Sequence, residues 1–95
     1  MPIGIIEIEF YLPSCSSLKA KRHILKPMLA RLHKEFNISI AEYDRHDVWK
    51  SSSIMIAMVS NDSKHLQRNL LKIQEFIEGH WPDLQITKDN IEIIM

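Results

Sequence analysis

The segment IGIIEIEFYL, residues 3–12, decides the fold class. Its apolar residues at positions 6, 8, 10 and 12 alternate with a second row at positions 5, 7, 9 and 11 that contains two glutamates. A period of two residues is typical of a strand that is buried on one face and partly solvated on the other. A polar break at residues 13–17 follows. The chain is therefore predicted to begin with a strand.

A helix is predicted over residues 17–36, directly after this strand. Ser16 or Ser17 can accept a hydrogen bond from the free amides at its start. The apolar residues that recur at helical spacing form one stripe for packing on the sheet, and they are Leu18, Leu25, Met28, Leu29, Leu32 and Phe36. Pro27 lies inside this helix, lacks an amide hydrogen and crowds the carbonyl of His23. A kink or a local restart is therefore expected near its middle.

The rest of the chain continues with strands and one more helix. A second strand is predicted from Ile38 to about Arg45, a polar loop over residues 44–53, and a third strand over 54–59 that is apolar on both faces and hence central. A second helix, capped at residues 61–62 and ended by Gly79 and Pro82, has a buried face of Leu66, Leu70, Ile73 and Ile77, flanked by Leu71 and Phe76. The last strand runs from about residue 84 to 95, with a bulge or bend expected near Asp89 and Asn90.

The order β-α-β-β-α-β predicts an α+β fold, the ferredoxin-like sandwich, in which two helices lie on one face of a four-stranded antiparallel sheet. The whole chain, residues 1–95, forms one such domain. The other sheet face is left open, and its residues are Ile5, Glu7, Glu9 and Tyr11 from the first strand and Met55, Ala57 and Val59 from the third. An exposed apolar sheet face is usually a contact surface or is covered by a second copy of the chain.

The length, net charge and cysteine content of the chain limit which partners and which cellular location are expected. The chain has 95 residues, 45% of them apolar, and a formal net charge of +0, so the molecule as a whole has no bias towards nucleic acid. A domain this short gains from oligomerisation, which makes a homodimer worth considering. The single Cys15 excludes an intrachain disulfide, and neither a signal peptide nor a membrane-spanning run is recognisable, so a cytoplasmic location without membrane contact is expected.

Although the net charge of the whole chain is zero, the segment between Lys19 and Lys34 is basic. It contains six lysines and arginines and no acidic residue. Lys19, Arg22 and Lys26 lie three to four residues apart and share one helix stripe with His23, a geometry suited to a phosphate backbone. Lys21, in the first turn, joins them as a candidate, because free helix amides favour an anion there. The alternative interpretation is a solvated helix face whose charge is offset by nearby carboxylates.

No catalytic or metal-binding constellation is recognisable. The run Asp44-Arg45-His46-Asp47 has metal-ligand residue types, but its spacing fits no template and indicates a solvated turn. Cys15 has no neighbouring base or resolving thiol, and the five histidines are scattered. Acylphosphatases carry a phosphate-binding arginine in the loop after strand one, whereas residues 13–17 here contain none. The sequence therefore predicts no catalytic residue, metal or cofactor, and favours a protein without enzymatic activity.

Trp49 is the most informative residue of the polar loop. A large aromatic ring on such a loop either packs back on the domain or meets a partner. Asp47 and Trp49 are therefore candidate contact residues.

The chain also resembles a known family through several short motifs. These are Leu12-Pro13, Ser17-Leu18-Lys19, Lys21-Arg22, Phe36-Asn37-Ile38-Ser39, Ala41-Glu42, Asp47 with Trp49, and Val59-Ser60-Asn61-Asp62. Together they are similar to the YlxP-like family of small bacterial proteins of unknown function. The resemblance implies a ferredoxin-like fold, a bacterial cytoplasmic protein, and genes that commonly neighbour those of translation initiation and ribosome-maturation factors. It implies no catalytic residues.

Three functions follow as hypotheses. The first is a non-enzymatic accessory protein that contacts RNA or a ribosomal particle, with Lys19, Arg22 and Lys26 on phosphates and Asp47 and Trp49 shaping a second contact loop. The second is an interaction module that dimerises through the open sheet face or an edge strand. The third is a small phosphate-ligand-binding or hydrolytic protein with a pocket between the strand-one loop and residues 44–53.

Overall fold

The computed structural model describes residues 1–44 and 50–94 and has the predicted ferredoxin-like order. Its elements are β1 (Ile3–Tyr11), α1 (Leu18–Glu35), β2 (Ser39–Asp44), β3 (Ser51–Val59), α2 (Ser63–His80) and β4 (Gln85–Ile94). The strands form one antiparallel sheet in the order β2-β3-β1-β4, so β3 is central as predicted. Neither helix in the described ranges is long and apolar enough to cross a bilayer.

The core lies between the helices and one face of the sheet. β1 contributes the predicted row of Ile6, Ile8 and Phe10, each at most 1% exposed. α2 contributes its predicted face, and Leu66, Leu70, Ile73 and Ile77 are all buried. Gly4 of β1 lies directly under α2, because a Cβ at this position would be 2.9 Å from Leu70 Cδ1. The alternating row and the helical stripe thus meet as the sequence predicted.

The third strand starts earlier than predicted. Ser51, Ser52 and Ser53 were expected to belong to the polar loop, but they pair with Tyr11, Phe10 and Glu9 of β1. Serine is a weak strand former, so its local preference gives no signal for a strand. Here the backbone ladder with β1 fixes these residues in the sheet.

The last strand is irregular at a different place from the one predicted. β4 runs through Asp89 and Asn90 without a break, and the register shifts where Lys88 pairs with Glu9 and Ile86 with Phe10. Thr87 is therefore the extra residue of a bulge, and its Oγ1 donates a hydrogen bond to the Glu9 carbonyl (3.2 Å). The turn-forming residues at 89 and 90 are held in the strand by pairing with β1.

α1 is one helix despite the proline inside it. Ser17 is its N-cap and accepts a hydrogen bond from the amide of Ala20 (3.1 Å). Pro27 is exposed, so the carbonyl of His23, which loses its helical partner, lies on the solvent side where water can bind it. The proline is tolerated because it lies away from the sheet.

Candidate functional site

The N-terminal half of α1 carries a basic groove. Lys19, Arg22, His23, Lys26 and Pro27 line a shallow depression of about 310 Å³ on the surface of the helix. All five residues are exposed. Positions 19, 22 and 26 follow one another at intervals of three and four, which brings their side chains to one face of the helix. The structure thus brings together three of the four basic residues predicted for anion binding.

The charge of this groove is not offset by the described part of the chain. Among the side chains of residues 1–43 and 50–94, no carboxylate lies within ion-pair distance of Lys19, Arg22 or Lys26. The first turn of α1 contains no acidic residue, and its N-cap is a neutral serine. Free amides and lysine side chains therefore act in the same direction, towards an anion.

Lys21 does not lie on this surface, which corrects its assignment as an anion-binding candidate. Its side chain is 1% exposed, and its Nζ lies 2.8 Å from Oε2 of Glu42 on β2. The same Nζ donates to the Ser51 carbonyl (3.3 Å), and Ser52 Oγ donates to Glu42 Oε2 (2.7 Å). Lys21 thus joins α1 to the two neighbouring strands.

A sequence signal for this placement exists. Lys21 precedes Leu25, Met28 and Leu32 at spacings of four, seven and eleven residues, so it lies on the buried stripe of the helix. A lysine on an apolar stripe needs a buried partner. Glu42, on the core face of β2 among apolar neighbours, is the matching residue.

The remaining predicted site residues divide into two groups. Asp47 and Trp49 lie outside the described residues, and so do residues 45–47 of the run that was considered for metal binding. The pocket expected between the two loops falls partly on residues 45–49, which are also outside the described residues. Cys15 is described and is a buried free cysteine that is 2% exposed. Across residues 1–44 and 50–94 no group of three His, Cys, Asp or Glu side chains could hold a metal ion.

A second basic line on α2 was missed by the sequence reasoning. Lys64, Arg68 and Lys72 are exposed and follow one another at intervals of four, the same signal that identified the α1 stripe. Unlike α1, α2 has an acidic N-cap, Asp62, which accepts from the amide of Lys64 (3.0 Å). Glu75 and Glu78 follow on its exposed side. The charge of α2 is therefore more balanced than that of α1.

The open sheet face is acidic at its centre, in contrast to the basic groove of α1. Glu7, Glu9 and Glu92 lie in neighbouring rows near its centre, and Lys88 is opposite Glu9. Towards one end of the face the row Val59, Ile3 and Ile94 is apolar and exposed. An acidic centre repels phosphate, so an anionic partner meets the helical layer more readily than the sheet.

Comparison with known proteins places the chain in a family. Residues 3–91 match the model of a protein family described as protein of unknown function (DUF503). The chain belongs to the DUF503 family. It is also similar to the uncharacterized protein YlxP of Bacillus subtilis (strain 168), with 35% identity over 85 residues, which is 90% of this chain and 91% of that protein. The predicted resemblance to YlxP-like proteins is thereby confirmed, and both descriptions leave the function of the DUF503 chain open.

Proposed function

We propose that this DUF503 protein is a non-enzymatic, cytoplasmic accessory protein that binds structured RNA, in a ribosomal particle or its precursor, through the basic groove of α1. The observation that carries the proposal is the set of three exposed cations, Lys19, Arg22 and Lys26, without carboxylate partners in the described residues. Neighbouring genes for translation and ribosome maturation, which the resemblance implies, point to the same class of partner.

The groove fits a phosphate backbone better than a small ligand. Its cations lie along the helix rather than around one point, and it is shallow and open to solvent. A nucleic-acid backbone presents phosphates in a row, and each neutralised phosphate releases counterions, so affinity falls as salt rises. Binding of this kind reads shape and charge more than base sequence.

The test compares two charge reversals of equal size. One variant carries Lys19→Glu, Arg22→Glu and Lys26→Glu, and the control carries Lys64→Glu, Arg68→Glu and Lys72→Glu, so both change the net charge equally. Fluorescence anisotropy with a labelled RNA hairpin, over a range of KCl concentrations, measures affinity. The α1 variant should lose at least about tenfold in affinity, and its dependence on salt should weaken by about 0.9 in log–log slope for each lost phosphate contact.

The control decides between a site and a general charge effect. The α2 variant should lose much less affinity than the α1 variant. Equal losses in the two variants would mean that binding follows net charge alone, and wild-type binding that does not respond to KCl would contradict a phosphate contact. Co-sedimentation with ribosomal particles, with and without nuclease, then separates an RNA partner from a protein partner.

A further inference from the structure

β4 is an edge strand with a long backbone edge that no other described strand covers. It pairs only with β1, so the backbone groups on its other side have no strand partner in the described chain. Its ten residues make it longer than β2, the other edge, which has six. Long exposed edges are templates for pairing with a further strand.

Apolar side chains are exposed on both sides of the C-terminal half of β4. On the helical side, Ile91 is 38% and Leu71 of α2 is 54% exposed. They line a groove of about 260 Å³ together with Gln67, Leu70 and Ile93. On the open side, Ile94 is 44% exposed beside Ile3, its partner on β1. A single copy leaves this end of the sheet incompletely covered.

We propose that two copies of the chain pair through β4 and form one continuous eight-stranded sheet. The two β4 strands are antiparallel, and the two Asn90 residues lie opposite each other. A two-fold axis perpendicular to the sheet relates the copies and keeps both helical layers on one side. Residues directly opposite each other in an antiparallel pair have side chains on the same side of the sheet. Two opposite residues of β4 must therefore be an even number of positions apart in the sequence, and the axis then passes between a residue and its own copy. Within residues 88–94, an axis at residue 90, 91 or 92 leaves at least five residues paired, because β4 ends at Ile94 and the bulge at Thr87 interrupts it at the other side.

Charge selects among these registers. An axis at Asp89 or at Glu92 places two carboxylates directly opposite each other, which destabilises the pair. An axis at Ile91 places Asp89 opposite Ile93 twice and Lys88 opposite Ile94 twice. This register contains no pair of opposite charges. An axis at Asn90 also places Asp89 opposite Ile91 twice, but it places Lys88 opposite Glu92 twice, and opposite charges directly across an antiparallel pair stabilise it.

The Asn90 register also brings exposed apolar side chains on the helical side together. The two Ile91 side chains become diagonal neighbours on the helical side, about 7–8 Å apart, beside the Leu71 of each copy. Since α2 packs next to β1 and α1 next to β2, the two α2 helices lie in the middle and the two α1 helices at the outer edges. The basic grooves of both copies are then on the same side of the dimer, although the pairing itself does not depend on RNA.

Cysteine crosslinking tests the register directly. Opposite Cβ atoms in an antiparallel pair are about 4.5–5.5 Å apart, close to the spacing that a disulfide requires, whereas diagonal ones are too far apart. Asn90→Cys, mixed with oxidised glutathione, should therefore give a covalent dimer on a non-reducing gel, and Ile91→Cys and Glu92→Cys should not. The wild-type chain is the control, because its Cys15 is 2% exposed. Crosslinking at 91 or 92 in preference to 90 would overturn the proposed register.

Charge exchange tests the pairing without new cysteines. Sedimentation velocity should show a concentration-dependent dimer for the wild-type chain. Lys88→Glu or Glu92→Lys alone should raise the dimer Kd by about tenfold, since each replaces two attractive pairs by two repulsive ones. The double variant should return the Kd to within about threefold of the wild type. Lys34→Glu on α1, which lies at the outer edge of the proposed dimer, is the control and should leave the Kd unchanged. A wild-type monomer throughout the micromolar range, or a double variant that stays monomeric while folded by circular dichroism, would overturn the proposal.

Discussion

Nζ of Lys21 lies 2.8 Å from Oε2 of Glu42, and the two side chains are 1% and 17% exposed. The pair ties α1 to β2, and the hydroxyl of Ser52 donates to the same carboxylate oxygen. One cation of the most basic segment of the chain therefore serves the fold, whereas its neighbours Lys19 and Arg22 face solvent. This division separates mutations that affect stability from those that affect binding.

Removing the lysine of this pair should destabilise the protein strongly. Lys21→Met removes the cation that lies against the partly buried Glu42 carboxylate. Breaking a buried pair in this way costs about 3–5 kcal/mol, and the lower end is expected because Glu42 retains some contact with water. The free energy of unfolding from urea denaturation measures the loss. Lys21→Met combined with Glu42→Gln should recover part of it, because the neutral amide can still accept the Ser52 hydrogen bond. A loss below about 1 kcal/mol in the single variant would contradict the buried pair.

The two glycines should respond to alanine in opposite ways. At Gly4 a Cβ would meet Leu70 Cδ1 at 2.9 Å and Leu66 Cδ1 at 3.1 Å, and both leucines are fully packed, so Gly4→Ala should lower stability by about 1–2 kcal/mol. At Gly79, inside α2, nothing lies within 4 Å of the added atom, and Gly79→Ala should raise stability by about 0.4–1 kcal/mol. Thermal unfolding of the two variants gives the comparison. Unchanged or increased stability of Gly4→Ala would mean that the space under α2 is not limiting.

The N-cap of α1 can separate helix stability from anion binding. Aspartate caps a helix about as well as serine and interacts favourably with the helix dipole, so Ser17→Asp should keep or slightly raise the unfolding free energy. The added charge lies next to Lys19 and should weaken binding of the RNA hairpin, most clearly at low KCl. Ser17→Asn is the neutral control and should keep both stability and affinity. Equal affinity of the two variants would place the anion away from the start of α1.

Cys15 should be inert in the folded protein. The thiol is 2% exposed, so a thiol reagent such as 5,5′-dithiobis(2-nitrobenzoic acid) can reach it only through opening or unfolding of the structure. The labelling rate should rise steeply with urea, in parallel with unfolding followed by circular dichroism. Fast labelling in the absence of urea would show that the segment between β1 and α1 opens independently of the rest.

The sequence by itself determined the order of the elements and the core, because alternation in residues 3–12 and the helical spacing of Leu66, Leu70 and Ile73 are local patterns set by burial. It also determined the basic stripe of Lys19, Arg22 and Lys26, which follows from helix geometry alone. Confirmation of the family followed from comparison with related sequences.

Only the tertiary structure decided the features that depend on residues far apart in the chain. Ser51–Ser53 are strand because β1 supplies their hydrogen-bond partners, and the bulge lies at Thr87 because β1 sets the register of β4. Lys21 is buried because Glu42, distant in sequence, lies opposite it on β2. In each case a partner across the sheet or across the helix–sheet interface outweighs the local preference, and a pattern within one element does not contain that partner.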